Sequence, residues 1–149
     1  MSSSRPPILV CYDGSEAGAR VVAAAGALFP GRAAIVLYIW PGIAAERVRT
    51  TAVTAVREEL IEEVRVAARR DATAVAEQGV RLARRGGLNA RPLAVEADDT
   101  AQAIVSVTTK ESAAAVVLGR PRRGRLGSLL PTSLAHSLLD QCEAPVVLV

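Results

Sequence analysis

Three short, nearly unbroken apolar runs constrain this chain more than any other feature: Ile8 to Tyr12, Ala34 to Ile39 and Ala113 to Leu118. A strand with one wet face alternates apolar and polar side chains, whereas a strand covered on both faces reads as continuous. The segments between the runs are helical in pattern. Asp13-Gly14-Ser15 forms a turn, and Ser15 caps a helix that runs to about Phe29, where Pro30-Gly31 stops it. From about Thr51 to Arg84 there is no proline, and the first glycine is Gly79. In that stretch Val53, Val56, Leu60, Val64 and Ala67 recur at three- and four-residue steps, with Glu58, Glu59, Glu62 and Glu63 on the solvated face. Pro92 to Glu96 reads as another strand. Asp98 or Asp99 caps a helix reaching about Glu111. After the Gly119 to Pro131 loop, Thr132 or Ser133 caps a helix to about Gln141, and Pro145 to Val149 is the last strand. Strands alternating with helices call for an open parallel sheet with helices on both faces and right-handed crossovers.

The 149 residues suit one domain with a core of its own. Half are apolar, 3% aromatic and 22% charged, a balance that disordered chains do not have. Residues 1–7 read as a disordered lead-in and 8–149 as the domain. The net charge of +3 is local: Arg120, Arg122, Arg123 and Arg125 fall in one loop, and without them 14 bases face 15 acids. A nucleic-acid surface needs more basic residues and exposed stacking partners. Trp40, Tyr12, Tyr38 and Phe29 all fall in or beside apolar core segments, so no nucleic-acid partner is expected. Two cysteines and one histidine, Cys11, Cys142 and His136, provide neither a disulfide framework nor a Cys/His zinc site. Reduced thiols in the cytoplasm are the expectation. The stretch Ala33 to Ala45 is too short for a membrane span, and the N-terminus lacks the apolar core of an export signal.

In an open parallel sheet, ligands bind beyond the carboxyl ends of the strands, where the strand order reverses. Asp13–Ser15, Ile39–Gly42, Ala97–Thr100 and Gly119–Pro131 line that edge. The last loop leads into a helix N-terminus with hydroxyls at Thr132 and Ser133, where backbone N–H groups and the helix dipole favour an anion. Glycines allow close approach and arginines add charge, so this is a phosphate site in outline. Asp13, across the same edge, can accept from a ribose or a base, or simply brace its turn. Ser133, His136 and Asp140 share one helix face, but side chains on a single helix do not easily converge on one substrate atom. An exposed His–Asp pair is the plainer reading.

These same residues carry a family resemblance. Ile8-Leu9-Val10-Cys11-Tyr12-Asp13-Gly14-Ser15-Glu16 resembles the opening strand and turn of the universal stress protein family. Leu37-Tyr38-Ile39 resembles its second strand end, Asp99-Thr100-Ala101 stands where the family has Asp-Pro-Ala, and Val116 to Val149 resembles its C-terminal third without gaps. The resemblance implies a single-domain, three-layer, open parallel five-stranded sheet in the order 3-2-1-4-5, of the adenine nucleotide alpha-hydrolase-like type. It implies no catalytic centre and, in many members, bound ATP or AMP, with magnesium only alongside the nucleotide. By resemblance, Asp13 contacts the ribose or adenine, the Ile39 backbone reads the adenine edge, and Gly119 and Ser133 hold phosphate. The family's phosphate motif has a glycine, two residues, a second glycine, nine residues, then a third glycine followed by Ser or Thr. Gly119 and Ser133 match it, whereas Arg122 and Thr132 stand at the second and third glycines. An arginine costs about 1 kcal/mol or more in a left-handed conformation, yet its guanidinium can pair with phosphate directly. The alternative is the same fold without nucleotide, acting as a dimeric interaction module for protein partners the sequence does not identify. The apolar last strand at a sheet edge, with the resemblance, points to a homodimer through Val146–Val149.

Overall fold

The structure, a computed structural model, describes residues 5–42, 58–120 and 132–149. Its elements in chain order are β1 (Ile8–Cys11), α1 (Glu16–Leu28), β2 (Ala33–Trp40), α2 (Glu58–Arg85), β3 (Asn89–Glu96), α3 (Thr100–Lys110), β4 (Ala115–Leu118), α4 (Thr132–Gln141) and β5 (Val146–Leu148). The strands form one parallel sheet in the order β3-β2-β1-β4-β5.

The apolar runs are continuous because both sheet faces are covered. Ile8, Val10, Ala34, Val36, Ala115 and Val117 pack on one face with Val21, Val22 and Ala25 of α1 and Val80 and Ala83 of α2. Leu9, Ile35, Leu37, Val116 and Leu118 pack on the other with Ile104 and Val107 of α3 and Leu138 of α4. Successive residues of β1, β2 and β4 thus serve opposite cores, and each fully buried Leu, Ile or Val contributes about 1.5–3 kcal/mol of transfer free energy. The residues just before β1 bond to those just before β2 and β4. Pro6 O accepts from Arg32 Nη2 at 3.1 Å, and Pro7 O accepts from Ala114 N–H at 2.8 Å. Part of the segment ahead of β1 is therefore held against the sheet.

Some boundaries differ from the sequence expectation, each for a tertiary reason. β3 begins at Asn89, three residues before Pro92, because pairing with Ala33–Ile35 extends residues of weak strand preference. β4 begins at Ala115, not Ala113. Ser112 sits at φ 50°, and Ala113 N–H donates to Thr108 O at 3.0 Å, so Ala113 still belongs to the C-terminal turn after α3. The expected helical residues from Thr51 to Arg57 lie outside the described residues; from Glu58 the helix runs one residue past the expected Arg84.

Candidate functional site

The order β3-β2-β1-β4-β5 reverses between β1 and β4, so their carboxyl ends flank the switch point. β1 leaves the sheet first. Tyr12 N–H donates to Leu37 O at 2.9 Å, and the turn Asp13-Gly14-Ser15 follows, with Gly14 at φ 81°. Asp13 Oδ1 accepts from Ser15 N–H at 2.9 Å and from the Ser15 hydroxyl. The Ser15 oxygen in turn accepts from Gly18 N–H at 2.9 Å, which makes it the N-cap of α1. Asp13 braces this turn with one oxygen. Its side chain is exposed, and Oδ2 has no hydrogen-bond partner among the described residues.

Gly18 is necessary to this arrangement. A Cβ there would fall 2.4 Å from Asp13 Oδ1 and 3.1 Å from the Tyr12 ring. The other side of that ring meets α2, where a Cβ on Gly79 would fall 2.6 Å from Tyr12 Cδ1. Sequence reasoning missed both positions, although a glycine inside a helical pattern is the kind of signal that marks a close approach. Burial pushes the Tyr12 phenol up, the Asp13 carboxylate adds to the shift, and Arg81 opposes it.

β2 continues beyond the point where β1 turns away. Along β2, residues alternate in the neighbour they face: Leu37 O accepts from Tyr12, whereas Trp40 O accepts from Ala97 N–H at 3.0 Å. Ile39 therefore directs its N–H and C=O toward the β1 side, and no described residue there pairs with them. Two residues past Trp40, Gly42 N–H donates to Asp98 Oδ1 at 3.2 Å. Of the two candidate caps for α3, Asp99 serves, accepting from Gln102 N–H at 3.0 Å.

On the far side of the switch point, Gly119 follows β4, its Cα side against Val21 of α1. Exposed Arg120 donates its N–H to Val149 O at 2.9 Å. Arg122 lies outside the described residues. α4 begins at Thr132, which puts Thr132 and Ser133 in its first turn; their side chains, and so their expected capping, lie outside the described set. The structure thus brings Asp13, Ile39 and Gly119 to one edge. The described edge divides by charge: Asp13, Glu96, Asp98 and Asp99 are at the ends of β1 and β3, while Arg120 follows β4. The N-terminal turns of α1 and α3 already bind their own Ser15 and Asp99 side chains.

Other candidates separate from this edge. His136 and Asp140 are 4.0 Å apart on α4, with side chains 80% and 71% exposed, a solvated pair. Cys11 packs with the α3–α4 core, and burial pushes its thiol up to about 12. No group of three or more metal-ligating side chains occurs among the described residues, and no described helix is long and apolar enough to cross a membrane.

An open parallel sheet in the order β3-β2-β1-β4-β5, reversing between β1 and β4, defines a class, the adenine nucleotide alpha-hydrolase-like fold. A profile of the Universal stress protein family matches residues 5–149, and the chain belongs to that family. Three solved structures are similar in fold. The hypothetical protein MJ0577 is 18% identical, with 98% of this chain and 96% of that one covered and a TM-score of 0.73. A universal stress protein family member from Burkholderia pseudomallei is 20% identical over 100% and 98%, at 0.67. The universal stress protein from Archaeoglobus fulgidus in complex with dAMP is 20% identical over 97% and 98%, at 0.62. No curated protein matches the chain.

Proposed function

We propose that this protein is a non-catalytic stress-response module of the cytoplasm that binds an adenine nucleotide across the β1–β4 switch point. The observation that carries this reading is the polarity of the edge. One half offers carboxylates and the Ile39 backbone, unpaired on the β1 side among the described residues, which suit the hydroxyls of a ribose and the donor and acceptor pair of a base. The other half offers a glycine, arginines and the first turn of α4, which suit phosphate. In this reading Asp13 accepts from the ribose or adenine through Oδ2. Ile39 reads the base by its main chain. Gly119, Arg122, Thr132 and Ser133 hold the phosphates, with magnesium entering only as a partner of ATP. The dAMP held by the Archaeoglobus fulgidus protein on the same fold supports the ligand class.

Calorimetric titration with ATP and magnesium tests it, using the parent, Arg122→Gly and Ser133→Ala. Micromolar binding by the parent, weakened by Ser133→Ala, is the expected result. Absence of binding by the parent, with binding gained by Arg122→Gly, means that the site is closed. ATP turnover that vanishes in Asp13→Ala would overturn the non-catalytic part.

A second reading, an interaction module working as a homodimer without nucleotide, is supported by the two sheet edges. On β3, the edge-facing Ala90 O accepts from Arg84 Nη2 at 3.1 Å, and Pro92 puts no N–H on that edge. On β5, Pro145 O and Val149 N–H bond to β4 and Val149 O accepts from Arg120 N–H just past it, so Val146 and Leu148 turn their backbone groups outward. Among the described residues, the β5 edge is the one left to pair with a second copy.

A further inference from the structure

The β3–α3 connection holds two adjacent aspartates with separate tasks. Asp99 caps α3. Asp98 instead reaches across the sheet edge to the exit of β2, where its Oδ1 accepts from Gly42 N–H at 3.2 Å. Gly42 is buried, and a Cβ there would lie 3.1 Å from Asp98 Oδ1 and 3.3 Å from Glu96 Oε1, so both carboxylates close against bare backbone. Glu96 Oε1 is itself 3.9 Å from Arg65 Nε on α2. On the β1 side the β2 ladder stops at Leu37. Among the described residues, Ile39 to Gly42 is therefore fixed from the β3 side, by the ladder to Ala97 and then by Asp98.

We propose that Asp98 is a positioning residue for the base end of the nucleotide site. By holding Gly42 N–H it keeps the β2 exit extended, which leaves the Ile39 N–H and C=O facing the gap beyond β1. This inference rests on the nucleotide reading above. It makes the base, not the phosphates, depend on Asp98. Inorganic tripolyphosphate uses only the β4–α4 half of the edge and has no use for Ile39.

The experiment compares the parent, Asp98→Ala and Asp98→Asn by calorimetry with AMP and with tripolyphosphate, and by amide exchange at Gly42. Losing a hydrogen bond to a charged acceptor loosens Gly42, and Asp98→Ala is expected to speed its exchange and weaken AMP by about tenfold or more. Tripolyphosphate affinity stays unchanged. Asp98→Asn keeps the accepting oxygen and restores both values, which a general loss of fold would not allow. Unchanged Gly42 exchange in Asp98→Ala, an equal loss for AMP and tripolyphosphate, or no recovery in Asp98→Asn overturns the proposal. A parent that binds AMP, with Asp98→Ala binding equally well, removes the positioning role alone. A parent that binds no AMP removes the nucleotide reading and this role together.

Discussion

The Tyr12 ring occupies a slot that two helical glycines leave for it. Gly18 borders one side and Gly79 the other, and Val36 Cγ1 also stands 2.6 Å from where a Cβ on Gly79 would be. Alanine at 79 improves helix propensity by about 1 kcal/mol. Overpacking of a core costs about 1–3 kcal/mol, and the ring cannot retreat because Gly18 is behind it. Gly79→Ala is therefore expected to lower stability by up to about 2 kcal/mol in urea unfolding. Combining it with Tyr12→Val should recover part of that loss, and strict additivity of the two changes would refute the shared slot. Cys11 gives a second residue-scale prediction. Its thiol moves from 9.0 to about 12 on folding through desolvation. A raised folded value means that the contribution is intact below pH 9 and is lost as pH rises toward 12. Between those limits the unfolded thiol ionises while the folded one does not. The parent should lose stability relative to Cys11→Ala by about 1.4 kcal/mol per pH unit above pH 9. Parallel stability curves for the two proteins from pH 8 to 10 would contradict this.

At the scale of elements, the exit from α3 carries a cost that the sequence does not advertise. Ser112 takes the left-handed position that usually belongs to glycine after a helix, at φ 50°. Its neighbours fix it there: Ser112 N–H donates to Thr109 O at 3.2 Å, Ala113 N–H to Thr108 O at 3.0 Å, and Ala114 N–H to Pro7 O at 2.8 Å. A non-glycine residue costs about 1–2 kcal/mol in that conformation, and glycine gives back about 0.5–1 kcal/mol as extra unfolded-state entropy. Ser112→Gly should raise stability by up to about 1 kcal/mol, read from the urea midpoint; a decrease would mean that the serine side chain contributes more than its backbone costs. β3 shows a different compromise. Pro92 is tolerated within an eight-residue strand because its nitrogen faces outward on the sheet edge. The Arg91–Glu111 ion pair then ties β3 to the end of α3.

For the whole molecule, the two sheet edges predict the assembly. β3 is blunted by Pro92 and by Arg84 on the Ala90 carbonyl, and among the described residues no strand pairs with the outer edge of β5. Val146→Pro removes one outward N–H and leaves the bonds of Pro145 and Val149 to β4 in place. It should shift a dimer toward monomer in light scattering at unchanged helical content. A dimer of undiminished strength would place the interface elsewhere.

The sequence alone determined the layered fold. Ile8 to Tyr12, Ala34 to Ile39 and Ala113 to Leu118 are apolar at every step because two helix layers cover them, and that requirement is written residue by residue. It also determined which loops meet at the carboxyl edge, since a parallel sheet with helical crossovers puts every strand end there. That Asp13 and Ile39 stand at this edge was legible on those terms. What only the tertiary structure decided are contacts between segments distant in the chain. Pairing with β2 extended β3 back to Asn89, against local preference. The bond from Gly42 to Asp98 spans 56 residues, and the Tyr12 slot joins β1 to helices on either side of it. Periodicity reports which face of an element is apolar, yet Leu60 and Val64 of the stripe expected on α2 stay 46% and 49% exposed. It cannot report which backbone N–H a particular carboxylate reaches, because that distance is set by how the elements dock.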